Sequence, residues 1–137
     1  MSFLSRFALL VAALLVSGGA AHAEGQLTAK LQALDKVTAR ISALDAPIDS
    51  VVTFGTLEVT VRSCYKAPPE EPPENAVFLE IRELRRNEEP RVVFTGWMFS
   101  STPGLSTLEH PVYDIWVVDC VTLPPPGTTV PNSSSSK

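Results

Sequence analysis

Hydrophobic and polar residues alternate most regularly in "FGTLEVTVRSC", residues 54–64. There Leu57, Val59 and Val61 fall on one side of an extended chain, with Thr56, Glu58, Thr60 and Arg62 on the other. Strict alternation carries Cys64 to the polar side, so a bulge near Arg62-Ser63 is expected to turn it back. A second alternating stretch sets Val77, Leu79 and Ile81 against Phe78, Glu80 and Arg82. A third sets Val37, Ala39 and Ile41 against Thr38, Arg40 and Ser42, and ends at Ala46-Pro47. Two later strands lack a polar face. In residues 92–99, Val92, Phe94 and Met98 oppose Val93, Trp97 and Phe99. In residues 112–121, Val112, Trp116, Val118 and Cys120 oppose Tyr113, Ile115 and Val117. Such strands need cover on both sides, from a second sheet, from the loop between them or from a partner.

The segments between these stretches break the pattern. "KAPPEEPPEN" holds four prolines and three glutamates, and proline cannot donate to a ladder, so residues 66–75 read as an exposed, semi-extended connection. "RRNEEPR" is a charged turn with Asn87 suited to a tight reversal. Leu27, Leu31 and Leu34 are spaced i, i+4, i+7, so residues 24–35 read as a short helix or a loosely docked arm. Residues 123–137 are Pro- and Ser-rich without an apolar period and read as a disordered tail. The expected fold is all-β: one antiparallel sandwich or partly open barrel of about five to seven strands, with its β domain over residues 36–122.

The first residues read as an address. Arg6 precedes an apolar run over residues 7–16, and Ala21-His22-Ala23 fits a small-x-small cleavage pattern. A membrane span needs about 20 apolar residues, and Ser17-Gly18-Gly19 cuts this run short. Residues 1–23 are therefore expected to be a signal peptide cleaved after Ala23. The remaining chain would be exported to the periplasm, without stable membrane insertion. The formal charge of −4 moves to about −5 once Arg6 is gone. With no basic cluster beyond Arg85-Arg86, a nucleic-acid surface is not expected.

Export changes the meaning of the two cysteines, Cys64 and Cys120. In an oxidising compartment an even count reads as a structural disulfide, and there is no Cys-x-x-Cys redox motif or metal-ligand set beside them. The remaining chemistry is sparse. With His22 in the leader, His110 is the one histidine of the exported chain. A triad would have to join it to Ser100 or Ser106 and to Asp114 or Asp119, with no Gly-x-Ser-x-Gly elbow to support it. Glu109, His110 and Asp114 are candidates for a polar cleft; no catalytic residue, metal or cofactor is assigned.

"FGTLEVTVRSCYKAPPEEPPENAVFLEI", followed by "VFTGWMFSSTPGLSTLEHPVYDIWVVDC", resembles an exported bacterial family found chiefly in alphaproteobacteria, domain of unknown function 2155. The resemblance runs from about Leu34 to Cys120. It rests on the Gly96-Trp97-Met98-Phe99 block, on the block from Leu108 to Asp114, and on a cysteine in each end segment. It implies export and similar domain boundaries, and it brings no catalytic residue.

Trp97 and Phe99 share one strand parity and Met98 takes the other. The outward side is therefore either covered by residues 100–111 folding back or left as a recognition surface. Trp97, Met98, Phe99, Leu105, His110 and Tyr113 are the candidate interaction residues. The favoured reading is a non-catalytic accessory or interaction module that binds an unidentified protein or complex of the cell envelope. The alternative is a small envelope enzyme or glycan-binding domain with a cleft around His110.

Overall fold

The computed structural model describes residues 24–125; the expected leader and all but the start of the expected tail lie outside them. Seven strands follow in order: β1 (Gln26–Asp35), β2 (Arg40–Pro47), β3 (Val51–Phe54), β4 (Leu57–Lys66), β5 (Asn75–Glu83), β6 (Arg91–Phe99) and β7 (Tyr113–Leu123). They form two antiparallel sheets, one ordered β2-β1-β7 and the other β3-β4-β5-β6. The fold is the all-β sandwich expected, without closure into a barrel. Leu31 from one sheet and Val59, Leu79 and Ile81 from the other are fully buried, with Ile115 and Met98 beside them. Burying one such side chain is worth roughly 1.5–3 kcal/mol, and this layer holds the sheets together.

The largest correction concerns residues 24–35. They are neither helix nor loose arm: β1 is the central strand of its sheet, paired with β2 on one side and β7 on the other. Its buried face is Ala29, Leu31 and Ala33, whereas Leu27 is exposed and Leu34 half-buried. The leucine spacing imitated a helix because two of the three inward positions are alanines. The next stretch is also shifted. Asp35 Oδ1 accepts the amides of Val37 and Thr38, which makes a turn and leaves Val37 at the surface. β2 then starts at Arg40 and turns Leu44 and Ala46 inward, so Ile41 lies outside. The four-residue β3, which the alternation does not predict, joins β4 through Gly55 at φ +56°, where an added Cβ would run into the Tyr113 ring.

Three bulges set which residues face the core. In β4 the pairing slips between Val61 and Ser63, so Arg62 is extra and Cys64 lies opposite the buried Val77, as the alternation required. In β7 Val118 is extra. Ile115 and Val117 face inward before it, and Cys120, of opposite parity, faces inward after it. The third bulge, opposite Ile81/Arg82, comes early in β6; Val93 packs on the core while Val92 is exposed. Asn87, at φ 62°, makes the reversal between β5 and β6.

Cys64 and Cys120 form a disulfide that joins β4 to β7 across the two sheets, with their Cα atoms 5.9 Å apart. The bond spans a sequence separation of 56 residues. Replacing both cysteines with serine is expected to lower the unfolding free energy by about 2–4 kcal/mol. Urea midpoints of the oxidised and reduced protein check this directly, and equal midpoints would show that the bond adds nothing.

Candidate functional site

Two regions hold the residues that sequence analysis singled out, and they differ in character. The first is a buried polar network at the end of the sandwich where β5 finishes. Glu83 closes β5 and is 5 % exposed; His110, near the end of the connection from β6 to β7, is 8 % exposed. His110 Nε2 and Glu83 Oε1 lie 2.9 Å apart. The other ring nitrogen, Nδ1, accepts the amides of Val112 and Tyr113, each at 3.1 Å. That network assigns the proton to Nε2, which donates to the carboxylate. Arg85 and Arg91 reach the second oxygen of Glu83 at 3.2 and 3.1 Å. The Tyr113 ring stacks on the imidazole, and Lys36 donates to the His110 carbonyl at 2.9 Å.

This arrangement makes His110 a structural clasp. Both of its ring nitrogens are used within the fold, and neither Glu109 nor Asp114 hydrogen-bonds to it. Glu109 is exposed, while Asp114 accepts the Ile115 amide and borders a separate depression of about 260 Å3 with Pro103, Gly104, Thr107 and Trp116. The three residues proposed for a polar cleft are thus neighbours in sequence that serve different neighbours in space. Among the described residues no group of three His, Cys, Asp or Glu side chains could hold a metal ion.

The connection between β6 and β7 is clasped at its other end too. Glu74 accepts from the Ser101 amide and hydroxyl, and from the Ser100 hydroxyl. These bonds, Ser101 first, hold its carboxyl below its ordinary value. Between the two clasps Leu108 drops into the core while Leu105 stays 75 % exposed. The loop therefore closes the sandwich and does not fold back over Trp97.

The second region is the outer face of the β4-β5-β6 sheet. Val77 pairs with the buried Met98, so their neighbours Phe78 and Trp97 must face outward. The Trp97 ring meets Phe78 edge-on with centroids 5.5 Å apart, and remains 42 % exposed. By the same register Phe99 and Tyr65 flank Ala76 on this face, and Tyr65 is 50 % exposed. Of the six residues named as an interaction surface, Trp97 and Leu105 are open, Phe99 and Tyr113 half-buried, and Met98 and His110 interior. Phe78 and Tyr65 were not identified from sequence. The signal available was the parity set by the Arg62 bulge, which puts Tyr65 opposite Cys64 in facing.

The chain matches the family described as "Uncharacterized protein conserved in bacteria (DUF2155)" over residues 29–120. It is also similar to an uncharacterized protein of Rickettsia prowazekii (strain Madrid E), 34 % identical over 91 residues. That alignment covers 66 % of this chain and 59 % of the relative, so the chain spans less than two thirds of the relative's length. No solved structure matches.

The buried clasp has a pH signature. The hydrogen bond from His110 holds the Glu83 carboxyl below its ordinary value, against the desolvation of burial, and Arg85 acts in the same direction. A depressed carboxyl stabilises the fold above its unfolded-state pKa, and that contribution is lost as pH falls through the folded value. Glu83→Gln is expected to cost about 1–3 kcal/mol near neutral pH, because it leaves the buried His110 donor without a charged acceptor. The gap between wild type and variant should narrow as pH drops below the ordinary value of 4.5. Urea unfolding of both proteins across that range checks the sign; a gap that widens on acidification would refute it.

Proposed function

The chain belongs to the DUF2155 family, and we propose that it is an exported, periplasmic, non-catalytic interaction module that docks a protein partner of the cell envelope on the outer face of its β4-β5-β6 sheet. The observation that carries this reading is the aromatic group Tyr65, Phe78, Trp97 and Phe99, gathered on one sheet face with Trp97 and Tyr65 about half open to solvent. Tryptophan and tyrosine are enriched in interface hot spots because they bring large rigid area at small entropic cost. The rigid sheet beneath them, cross-braced by the disulfide, keeps that face preorganised.

Two further features support the setting. The Cys64–Cys120 bond is of the kind that persists in oxidising compartments, which agrees with the export signal read in residues 1–23. The engagement of His110 inside the fold leaves an enzymatic or glycan-binding cleft at that position without support.

Trp97→Ala tests this reading. The ring is partly exposed and its main aromatic contact is Phe78, so the loss of stability is expected to be about 1 kcal/mol. Affinity capture from mildly cross-linked cells should recover a stoichiometric partner with the wild-type chain and about tenfold less with the folded variant, the loss expected of a central anchor. Equal recovery by both proteins would remove this face from the interaction.

A further inference from the structure

The strand register sets the side chains on the outer face of the β4-β5-β6 sheet in rows. Phe78 and Trp97 share one row, Thr60, Glu80 and Thr95 share the next, and Glu58 and Arg82 share the one after that. Glu80 therefore stands on the same side as the aromatic rings, diagonal to Trp97 and two residues from Phe78 along β5. Diagonal positions on neighbouring strands are within reach of each other when the side chains are long or aromatic. Glu80 is half-buried, and a carboxylate partly withdrawn from water gains from a cation beside it.

No cation among the described residues meets it. Arg82, two positions on along β5, donates to Glu58 at 2.9 Å. Arg62 is held by Asp49 at 3.0 Å, and Lys66 reaches across to Asp119 of β7 at 2.8 Å. Thr60 and Thr95, which flank Glu80 on the adjoining strands, are uncharged. At one end of the face the turn from β5 to β6 balances Arg85, Arg86 and Arg91 against Glu83, Glu88 and Glu89. At the other end the proline-rich connection adds Glu70 and Glu71, both exposed. Among the described residues Glu80 takes part in no ion pair. Glu58 and Arg82 cancel, so Glu80 is the unmatched charge of this face.

We propose that Glu80 and Trp97 together form a recognition site for an arginine side chain of the partner protein. The inference deepens the docking reading and rests on it: it names the chemistry that the aromatic face accepts. Charge selects a cation, because the one uncompensated group on the face is a carboxylate and the connection beside the aromatic end is acidic. Shape selects arginine over lysine. A guanidinium is flat and weakly hydrated, so it stacks on an open tryptophan ring while its fork of N–H groups meets both oxygens of a neighbouring carboxylate. An ammonium brings only a point charge. Trp97 is open to solvent and braced edge-on by Phe78, so its ring is in place before the partner arrives.

The test uses the chain expressed from residue 1 and purified as the cell leaves it. The probe is an end-blocked Gly-Arg-Gly peptide, with its lysine counterpart and its neutral citrulline counterpart for comparison. Two-dimensional NMR follows the Trp97 indole N–H and the Glu80 amide. The arginine peptide should shift both with a Kd on the order of 1 mM, the scale of a single-residue contact. The lysine peptide should bind more weakly, and the citrulline peptide should leave both signals in place. Glu80→Gln should keep the melting temperature, since no ion pair of the fold uses its charge, and should weaken the arginine peptide about fivefold. Equal binding of the lysine or citrulline peptide would overturn the proposal, as would full affinity in Glu80→Gln. Affinity capture keeps the two readings apart. A partner lost with Trp97→Ala but recovered in full with Glu80→Gln leaves the docking face standing and overturns the arginine site. A partner lost with both variants supports both readings, and one retained by both removes the face and this site with it.

Discussion

The bond between Cys64 and Cys120 exists because each of its strands carries one residue too many. In β4 the extra residue is Arg62 and in β7 it is Val118, each two positions before the cysteine. A strand turns alternate side chains to alternate faces, so an inserted residue reverses the parity of all that follows. Without Arg62, Cys64 would lie outside with Glu58 and Thr60; without Val118, Cys120 would follow Trp116 to the outer side. The two insertions bring both sulfurs into the largely apolar space between the sheets. The same shift in β4 leaves Tyr65 on the outer face beside Phe78 and Trp97. The Arg62 bulge therefore serves both the covalent brace, through Cys64, and the aromatic face, through Tyr65.

The far end of the sandwich is closed by polar groups instead. A carboxylate and an imidazole at 5 % and 8 % exposure would be costly if either stood alone. Here Glu83 receives His110, Arg85 and Arg91, and His110 receives two backbone amides, so every polar atom of the pair is matched. These bonds hold the pair in one arrangement. It fixes where the long connection from β6 re-enters the fold, and thereby the point at which Tyr113 starts β7. Glu74 does the same for the departing end through Ser100 and Ser101. A connection of this length, tied at both ends and pinned by Leu108, works as a cover for the core edge.

What the sequence made legible follows from the range of the interactions involved. The alternation of Leu57, Val59 and Val61, the bulge at Arg62, the proline-rich connection and the reversal at Asn87 are all decided within a few residues, and each appears in the structure where the local pattern put it. β1 was misread because its burial is decided by β2 and β7 on either side, and alanines at 29 and 33 gave no apolar signal of their own. His110 was seen as a singular residue, but its partner Glu83 lies 27 positions away in an unremarkable strand end. Proximity in sequence suggested Glu109 and Asp114, whereas proximity in space was set by the pairing of β5 and β6. The interaction surface was half legible for a similar reason: parity separated Trp97 from Met98 correctly, but the residues that complete the face come from the neighbouring strands.

The division of labour within residues 95–111 follows from these constraints. Met98, Leu108 and His110 point into the fold and fix it, so they are unavailable to any partner. Trp97 stands between Thr95 and Phe99 on the opposite side, on a strand whose inner neighbours hold it in place. A large aromatic ring left open on a flexible loop would bring a high ordering cost to each encounter. The same ring on a sheet anchored by buried side chains has already met that cost during folding. The stretch that first stands out for its density of large residues is therefore divided strictly by side: one set closes the core, and the other is held rigidly in front of solvent by the first.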